Sequence, residues 1–290
     1  MIVVTGATGA LNGAVVEHLL QRVPAERIGV SARDASKAQH LADRGVRVRQ
    51  GSYDDPVALR ESFTGADQVL LVSSNDFAAD VAAQHRTAVE AAAAAGARRI
   101  LYTSQQGAAD SSYPPAAVHA ATEAFLAESG VPWTALRHGF FGSLDQLLGP
   151  WRRTGVIAKP ADGPVPWTDR TDLAEATAAI LSGDRSFDGP VTLSAPAVTL
   201  DDFAAIASEL TGRTIERVVV DDERWLAEEI ANGTPEFTAR LTLTLFQAAR
   251  SGYLAGDAPL LPELLGREPR SAAEQLADQL PTGTGPSPTS

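Results

Sequence analysis

Short apolar runs alternate with helix-forming stretches through the first half of the 290-residue chain. The predicted strands are Ile2–Thr5, Ile28–Ser31, Val46–Gln50, Gln68–Val72, Arg99–Thr103 and Trp133–Leu136. The predicted helices between them are Gly13–Gln21, Ser36–Asp43, Pro56–Phe63, Val81–Ala95 and Ala116–Glu128. Regular alternation of the two element types is typical of βαβ units. The chain is therefore predicted to be an α/β protein with a Rossmann-type, doubly wound parallel sheet.

The alternation of apolar runs and helix-forming stretches becomes less regular after Leu136. The clearest later elements are a strand at Val191–Ser194, a helix at Leu200–Thr211 and a strand at Glu216–Val220. We interpret residues 1–140 as the Rossmann core, and residues 141–280 mainly as a smaller C-terminal α/β substrate lobe with some elements that return to the core. Residues 281–290 contain only Pro, Thr, Gly and Ser and are predicted to be a disordered tail.

Composition excludes several classes of function. The 24 Lys and Arg against 36 Asp and Glu give a formal charge of −12, which repels phosphate backbones and argues against nucleic-acid binding. No apolar run approaches the roughly 20 residues of a membrane span, so we expect no membrane insertion and a cytoplasmic protein. The chain has no cysteine, which excludes disulfides and thiolate catalysis. No His, Asp and Glu cluster has metal-ligand spacing, so no metal site is predicted.

The most informative segment is the glycine-rich turn that follows the first strand. Gly6 suits a tight turn, Gly9 lets the backbone approach a pyrophosphate, and a helix then begins. The predicted phosphate-binding residues are Gly6, Thr8, Gly9, Ala10, Leu11 and Asn12. The alternative is a simple βα turn that uses glycine only as a breaker. The usual third glycine is replaced by Asn12, whose amide either binds a phosphate or widens the turn.

The end of the second strand indicates which nicotinamide cofactor is preferred. An NAD site places an acidic residue there to hold the ribose 2′-hydroxyl. Here Arg33 and Lys37 offer two cations that suit a 2′-phosphate, while Asp34 is interpreted as the cap of the next helix. The alternative is that both cations are ordinary solvated charges. NADP(H) is the predicted cofactor.

Several segments together resemble the NmrA-like atypical short-chain dehydrogenases, and within them the type 2 NAD(P)H:quinone oxidoreductases. These segments are Thr5–Gly9, Arg33 with Lys37, Val46–Asp55, Leu71–Ser74, Tyr102–Ser104, His119–Glu123, Leu210–Gly212 and Leu264–Pro269. The resemblance covers nearly the whole chain up to the tail.

The resemblance implies where the ligands lie. The nicotinamide is expected near Ser73, Ser74, Asn75, Thr103 and Ser104, the adenine near Tyr53 and Asp54, and the substrate towards His138–Phe141. Related reductases commonly carry a lysine directly after the His-x-x-Thr-Glu motif. Here that position is Ala124, and the Tyr-x-x-x-Lys pair of ordinary short-chain dehydrogenases is missing because Ala117 stands four residues after Tyr113.

Hydride transfer to a quinone needs donors that stabilise the developing oxyanion. The candidate catalytic residues are Gln105, with Gln106 beside it, Tyr113, His119 and His138. The alternatives are a polar loop for the glutamines and structural roles for the histidines. His18, His40 and His85 are expected to be surface or packing residues. Aromatic side chains that either line the substrate cleft or form the small lobe's own core are Phe140, Phe141, Trp151 and Trp167.

Two classes of function follow from these observations. The first is an NADPH-dependent oxidoreductase acting on a quinone or aromatic polyketide-like substrate. Because the hydroquinone product can react with oxygen, its net outcome includes monooxygenation as a variant. The second is an NADP(H)-binding redox sensor that does not turn over, which the missing lysine favours. The oligomeric state stays open, with a homodimer as one candidate.

Overall fold

A parallel sheet forms the centre of the computed structural model, which describes residues 1–76, 79–108, 112–256 and 260–280. The strands in chain order are β1 (Ile2–Thr5), β2 (Ile28–Ala32), β3 (Arg47–Gln50), β4 (Gln68–Leu71), β5 (Arg99–Gln105), β6 (Trp133–His138), β7 (Val156–Lys159), β8 (Gly189–Leu193) and β9 (Glu216–Val219). The tail predicted at 281–290 lies outside the described residues. The six strands predicted for the first half are all present, with ends shifted by two residues at most.

The main sheet has seven strands in the order β3-β2-β1-β4-β5-β6-β8, and every neighbouring pair is parallel. The chain moves outward from β1 to β3 and then returns to β4 on the other side of β1. This reversal is the switch point at which doubly wound folds bind ligands. Strand β8 returns to the edge of this sheet beside β6, whereas β7 and β9 form a separate parallel pair.

The helices are α1 (Ala10–Leu20), α2 (Gln39–Ala42), α3 (Pro56–Phe63), α4 (Val81–Ala94), α5 (Pro114–Glu128), α6 (Leu144–Leu148), α7 (Trp151–Thr154), α8 (Arg170–Ser182), α9 (Leu200–Thr211), α10 (Asp222–Ala231), α11 (Glu236–Arg250), α12 (Leu260–Leu265) and α13 (Ala272–Ala277). The helix predicted at Ser36–Asp43 is divided, because a 3-10 turn over Ala35–Ala38 precedes α2. The sequence pattern did not predict α8, which packs on α1.

Two apolar layers cover the two faces of the main sheet. Side chains alternate between faces along each strand, so Leu101 lies in the layer with α1 and α8, and Ile100 lies in the layer with α4. Alanines of α4, such as Ala88 and Ala92, are fully buried. Their small side chains let this helix approach the sheet closely. Burial on both faces is what a parallel sheet requires.

A third apolar cluster forms the core of a smaller lobe. It contains Trp151, Phe203 and Phe246 and draws on helices α6, α7, α9, α10, α11 and α13 together with β7. Some later elements nevertheless belong to the main sheet, since α8 and α12 pack with its first layer. The proposed division at residue 140 stays a prediction, and the clusters identify which later elements return to the core.

A buried carboxylate ties the last described segment to the core. Asp172 of α8 is fully buried and accepts hydrogen bonds from Arg267 Nη2 at 2.8 Å and from the Arg270 backbone N–H at 2.6 Å. Removing one partner of a buried charged network leaves the others unsatisfied. The position of α13 against the small lobe therefore depends on this carboxylate.

We expect Asp172→Ala to lower the free energy of unfolding by about 2–4 kcal/mol, because the Arg270 amide loses its acceptor and the Arg267 guanidinium loses one of its two carboxylate partners and keeps Glu175. Urea denaturation measures the change. The control is Glu236→Ala, which removes an exposed ion pair with Arg240 and is expected to change stability by about 0.5 kcal/mol or less. Equal, small losses in the two variants would contradict the role of Asp172.

Candidate active site

A cleft of about 900 Å³ opens at the carboxyl ends of β1, β4, β5 and β6. Every predicted cofactor-binding residue lines it, and so does every catalytic candidate except Gln106. These residues are Gly6, Thr8, Gly9, Ala10, Leu11, Asn12, Arg33, Lys37, Ser73, Ser74, Asn75, Thr103, Ser104, Gln105, Tyr113, His119 and His138. The carboxyl ends of parallel strands share one edge of the sheet, which explains why residues distant in sequence meet here.

The glycine-rich turn has the geometry of a phosphate cradle. Gly6 has φ +66°, and a Cβ there would lie 2.6 Å from Val72 Cγ1. Gly9 donates its backbone N–H to the Gly6 carbonyl at 2.9 Å and precedes α1, which has no side-chain cap. The first N–H groups of α1 are thus left for an anion, where the helix dipole also favours negative charge.

Asn12 supports this turn from inside. Its side-chain Nδ2 donates to the Thr5 carbonyl at 2.8 Å, and the residue is buried. The close approach usually made by the third glycine is made one residue later, since a Cβ at Gly13 would lie 3.0 Å from the Ala7 carbonyl oxygen. The amide of Asn12 is therefore used within the protein, an arrangement that neither alternative from the sequence anticipated.

Two exposed cations stand at the end of β2. Arg33 and Lys37 form no ion pair with any residue in the described part of the chain, and both line the cleft. The Asp34 carboxylate is held within its own turn, where it accepts from the Ser36 N–H at 3.0 Å and the Ser36 hydroxyl at 2.6 Å. These hydrogen bonds, the hydroxyl one foremost, lower the pKa of Asp34. The predicted capping role of Asp34 is confirmed.

Side-chain hydroxyl groups join the carboxyl ends of β1, β4 and β5. Thr5 Oγ1 accepts from the Val72 N–H at 2.8 Å, and the Tyr53 hydroxyl donates to the Val72 carbonyl at 2.9 Å. Thr103 Oγ1 accepts from the Ser73 N–H at 2.9 Å. Burial raises the pKa of Tyr53, so its hydroxyl keeps its proton.

Ser104 uses its hydroxyl on the opposite face of β5. Its Oγ donates to Glu123 Oε1 at 2.7 Å, and Glu123 also pairs with Arg137 at 2.6 Å. The serine side chain is thus committed to a buried ion pair. Any contact of Ser104 with a cofactor runs through its backbone, a detail that the sequence motif does not show.

His85 has a role that the sequence analysis missed. The residue is buried in α4, and its Nε2 accepts a hydrogen bond from the Ser74 N–H at 2.8 Å. It therefore positions the loop that follows β4, where the nicotinamide is expected. A histidine within an alanine-rich helix was the available signal, but helical spacing alone does not reveal the partner.

The two candidate glutamines diverge. Gln105 lines the cleft, and its side-chain Nε2 is buried without a hydrogen-bond partner among the described residues. Gln106 turns towards the small lobe, where its Nε2 donates to the Leu254 carbonyl at 3.2 Å. Gln105 is therefore the one that borders the cleft and has an unpaired side-chain donor.

Three further polar groups at this side of the cleft are neutral at physiological pH. Burial lowers the pKa of His119 to about 4 and that of His138 to about 3, and it raises the pKa of Tyr113 to about 12. His138 lies opposite Gln105 in the β5–β6 register. Groups of this kind donate hydrogen bonds without carrying charge.

The aromatic candidates divide between the cleft and the small lobe. Phe140 and Phe141 line the cleft. Trp151 and Trp167 instead lie in the apolar core of the small lobe, although Trp167 still contacts Phe140 edge to face with ring centroids 6.2 Å apart. The cleft therefore has an aromatic wall of two phenylalanines, supported from behind by a tryptophan.

The position where related reductases carry a lysine faces away from this site. Ala124 is exposed on α5 and does not line the cleft, whereas the preceding Glu123 is buried. A lysine at 124 would stand in solvent in this chain. The absence of lysine at position 124 therefore does not favour a protein without turnover, contrary to the expectation from the sequence.

In the described ranges, no group of three or more His, Asp or Glu side chains is placed to hold a metal ion. No helix in those ranges is both long and apolar enough to cross a membrane.

Comparison with known proteins places the chain among reductases. The profile of the NmrA-like family matches residues 1–250. Quinone oxidoreductase 2 of Escherichia coli is 34% identical over 281 residues, covering 96% of this chain and 98% of that protein. Its crystal structure with NADPH superimposes with a TM-score of 0.90 at 33% identity. The match covers 96% of this chain and 99% of that one.

Two other relatives have different substrates in their names. The NAD(P)H azoreductase of Xenophilus azovorans is 30% identical, with 94% of this chain and 96% of that protein covered. The structure of Citrobacter sp. triphenylmethane reductase with NADP(H) has a TM-score of 0.89 at 32% identity. The match covers 97% of this chain and 100% of that one.

The buried histidines predict how stability depends on pH. His85, His119 and His138 have folded-state pKa values of about 4, 4 and 3, below the ordinary 6.5. Below pH 6.5 the unfolded chain therefore binds more protons than the folded chain, and stability falls as the pH falls.

Between pH 7.5 and 5.5 we expect a loss of about 3 kcal/mol, discounted because His119 is partly exposed to the cleft. Most carboxylates titrate below this window. Calorimetric Tm values at each pH measure the loss. His40→Gln, at an exposed site, is the control and should keep the wild-type slope. A Tm that stays level over this window would refute the assignment of neutral buried histidines.

Proposed function

The chain belongs to the NmrA-like family, and we propose that it is an NADPH-dependent oxidoreductase that reduces a quinone or a similar conjugated aromatic acceptor. The observation that carries this proposal is the cleft itself. One part of it has a glycine cradle and two available cations, and another has the unused Gln105 amide beside neutral histidines. A cofactor site and an acceptor site are thus continuous.

The residues present fit NADP(H). At Gly6 the turn leaves no room for a side chain, and the uncapped N-terminus of α1 after Gly9 is available to a pyrophosphate. Arg33 and Lys37 match the charge of a 2′-phosphate. The solved structures of the Escherichia coli and Citrobacter relatives contain NADPH and NADP(H), which supports the same cofactor here.

The bound cofactor would supply the hydride, and the protein would orient the acceptor. In this proposal the Gln105 amide and the His119 ring would donate hydrogen bonds to the acceptor oxygen as it gains negative charge. Phe140 and Phe141 form a wall against which a flat ring packs. The names of the relatives support conjugated acceptors, since they include a quinone oxidoreductase and an azoreductase.

The finer identity of the substrate is also part of the proposal. A polycyclic aromatic polyketide would suit the Phe140–Phe141 wall, and the hydroquinone produced from it would react with oxygen. In that case the net outcome would be monooxygenation, without a further cofactor. The chain is further proposed to act in the cytoplasm, with a homodimer as its candidate assembly.

The decisive experiment follows NADPH absorbance with purified protein and a series of benzo-, naphtho- and anthraquinones, with and without oxygen. We expect anaerobic consumption of one NADPH per quinone and a product two hydrogens heavier by mass. An added oxygen atom only in air would support the monooxygenation variant. Tight NADPH binding with no consumption by any acceptor would overturn the enzyme and favour a redox sensor.

Arg33→Ala tests the cofactor preference. We expect the Kd for NADPH to rise about 10- to 100-fold, because a charge-assisted contact with the 2′-phosphate is lost. The Kd for NADH should change less than about twofold, since NADH has no 2′-phosphate. Fluorescence titration measures both, and Arg44→Ala, a surface arginine paired with Glu17, is the matched control. Equal losses for the two cofactors would remove Arg33 from the 2′-phosphate site.

Gln105→Ala tests the donor at the acceptor end. We expect kcat with a quinone to fall by about tenfold or more, because one oxyanion donor is lost. The Kd for NADPH should stay unchanged, since the cofactor end is intact. Steady-state kinetics and fluorescence titration give the two values, with the exposed Gln39→Ala as control. Unaltered turnover would show that Gln105 does not contact the acceptor.

A further inference from the structure

A chain of hydrogen bonds runs behind the cleft and fixes the proton on one histidine ring. The Ser74 N–H donates to His85 Nε2 at 2.8 Å, so this nitrogen has no proton. The other ring nitrogen, Nδ1, therefore carries it and lies 2.8 Å from Thr122 Oγ1. Thr122 Oγ1 donates its own proton to the Val118 carbonyl at 2.8 Å, so it accepts from His85.

Tyr102 stands between this ring and His119. Its hydroxyl is 3.4 Å from His85 Nδ1 and 2.8 Å from His119 Nδ1. Since His85 Nδ1 is a donor, it offers no lone pair to the tyrosine. Of the two rings, only His119 can accept the Tyr102 proton, although the hydroxyl also hydrogen-bonds the side chains of Ser73 and Thr122. Donation from Tyr102 to His119 would leave His119 Nδ1 bare and put the proton of the neutral ring on Nε2.

The surroundings keep both rings in this singly protonated form. Burial lowers the pKa of His85 and of His119 to about 4. The Tyr102 ring is fully buried and lies edge-on to His85, with centroids 5.3 Å apart, and tilted to His119 at 5.8 Å. At neutral pH the His119 ring therefore carries one proton, on either Nδ1 or Nε2. The position of that proton decides whether Nε2, the nitrogen that does not face Tyr102, donates or accepts a hydrogen bond.

We propose that Tyr102, oriented by His85, is a positioning residue that fixes His119 as the Nε2–H tautomer and so makes it a permanent, uncharged hydrogen-bond donor to the cleft. The acceptor recognised at this point then has a lone pair, as a quinone carbonyl or an azo nitrogen does, rather than an N–H or O–H group. The role in turnover rests on the proposed function, whereas the tautomer does not.

The tautomer is tested directly by ¹⁵N NMR of the full chain labelled at histidine, because protonated and bare ring nitrogens have distinct chemical shifts. His119→Gln and His85→Gln assign the two rings. We expect His119 to be protonated at Nε2 and His85 at Nδ1. A proton on His119 Nδ1 would overturn the proposal. This wild-type measurement stands even if a tyrosine variant fails to fold.

Tyr102→Phe tests the positioning role. We expect the His119 ring to lose its single tautomer while His85 keeps its own, and kcat with a quinone to fall by about tenfold with an unchanged NADPH Kd. Tyr253→Phe, at an exposed tyrosine that does not line the cleft, is the matched control and should leave spectrum and turnover as in wild type. An unchanged His119 ring in Tyr102→Phe would exclude Tyr102.

The two proposals fail separately. If His119 shows the expected tautomer but no quinone is reduced by the wild-type protein, the proposed function is wrong and the fixed tautomer stands. If quinones are reduced and His119 shows the opposite tautomer, the function stands and the network is wrong.

Discussion

The structure depends on one close contact, in which the end of β1 packs against Val72, the residue that follows β4. At Gly6 a side chain would collide with Val72, and the backbone takes a positive φ. The Thr5 hydroxyl accepts from the Val72 amide at 2.8 Å. This hydrogen bond holds the carboxyl ends of β1 and β4 side by side at the switch point. The Gly6–Gly9 turn and the loop of Ser73 therefore lie at the same edge of the sheet.

Local signals explain the parts of the fold that the sequence predicted well. Helix Pro56–Phe63 has its observed bounds because Asp55 caps it and proline begins it. Helix Leu200–Thr211 is likewise bounded by the Thr199 capping box and by Gly212. Two other signals located the cleft residues: the Gly6–Gly9 turn and Arg33 follow recognisable strands, which end at one edge of a parallel sheet, and the residues expected near the nicotinamide came from the family resemblance.

Long-range packing decided the rest. Strand β7 has four residues and, among the described strands, pairs with β9 alone, which lies far along the chain, so no nearby pattern marks it. The rotation of a helix is equally hidden in one sequence: His85 and Glu123 turn inward, whereas Ala124 turns to solvent. From the sequence, the absence of lysine at position 124 suggested a protein without turnover. The structure removes that argument, because position 124 faces solvent.

The neutrality of the acceptor end bears on which substrates the cleft can serve. His119, His138 and Tyr113 are held uncharged by burial, so they donate hydrogen bonds but do not readily give up a proton near neutral pH. An isolated ketone needs a proton as hydride arrives, because its alkoxide is a strong base. A quinone spreads the negative charge over a conjugated ring and takes its proton later from water. A cleft of neutral donors thus suits conjugated acceptors better than simple carbonyls.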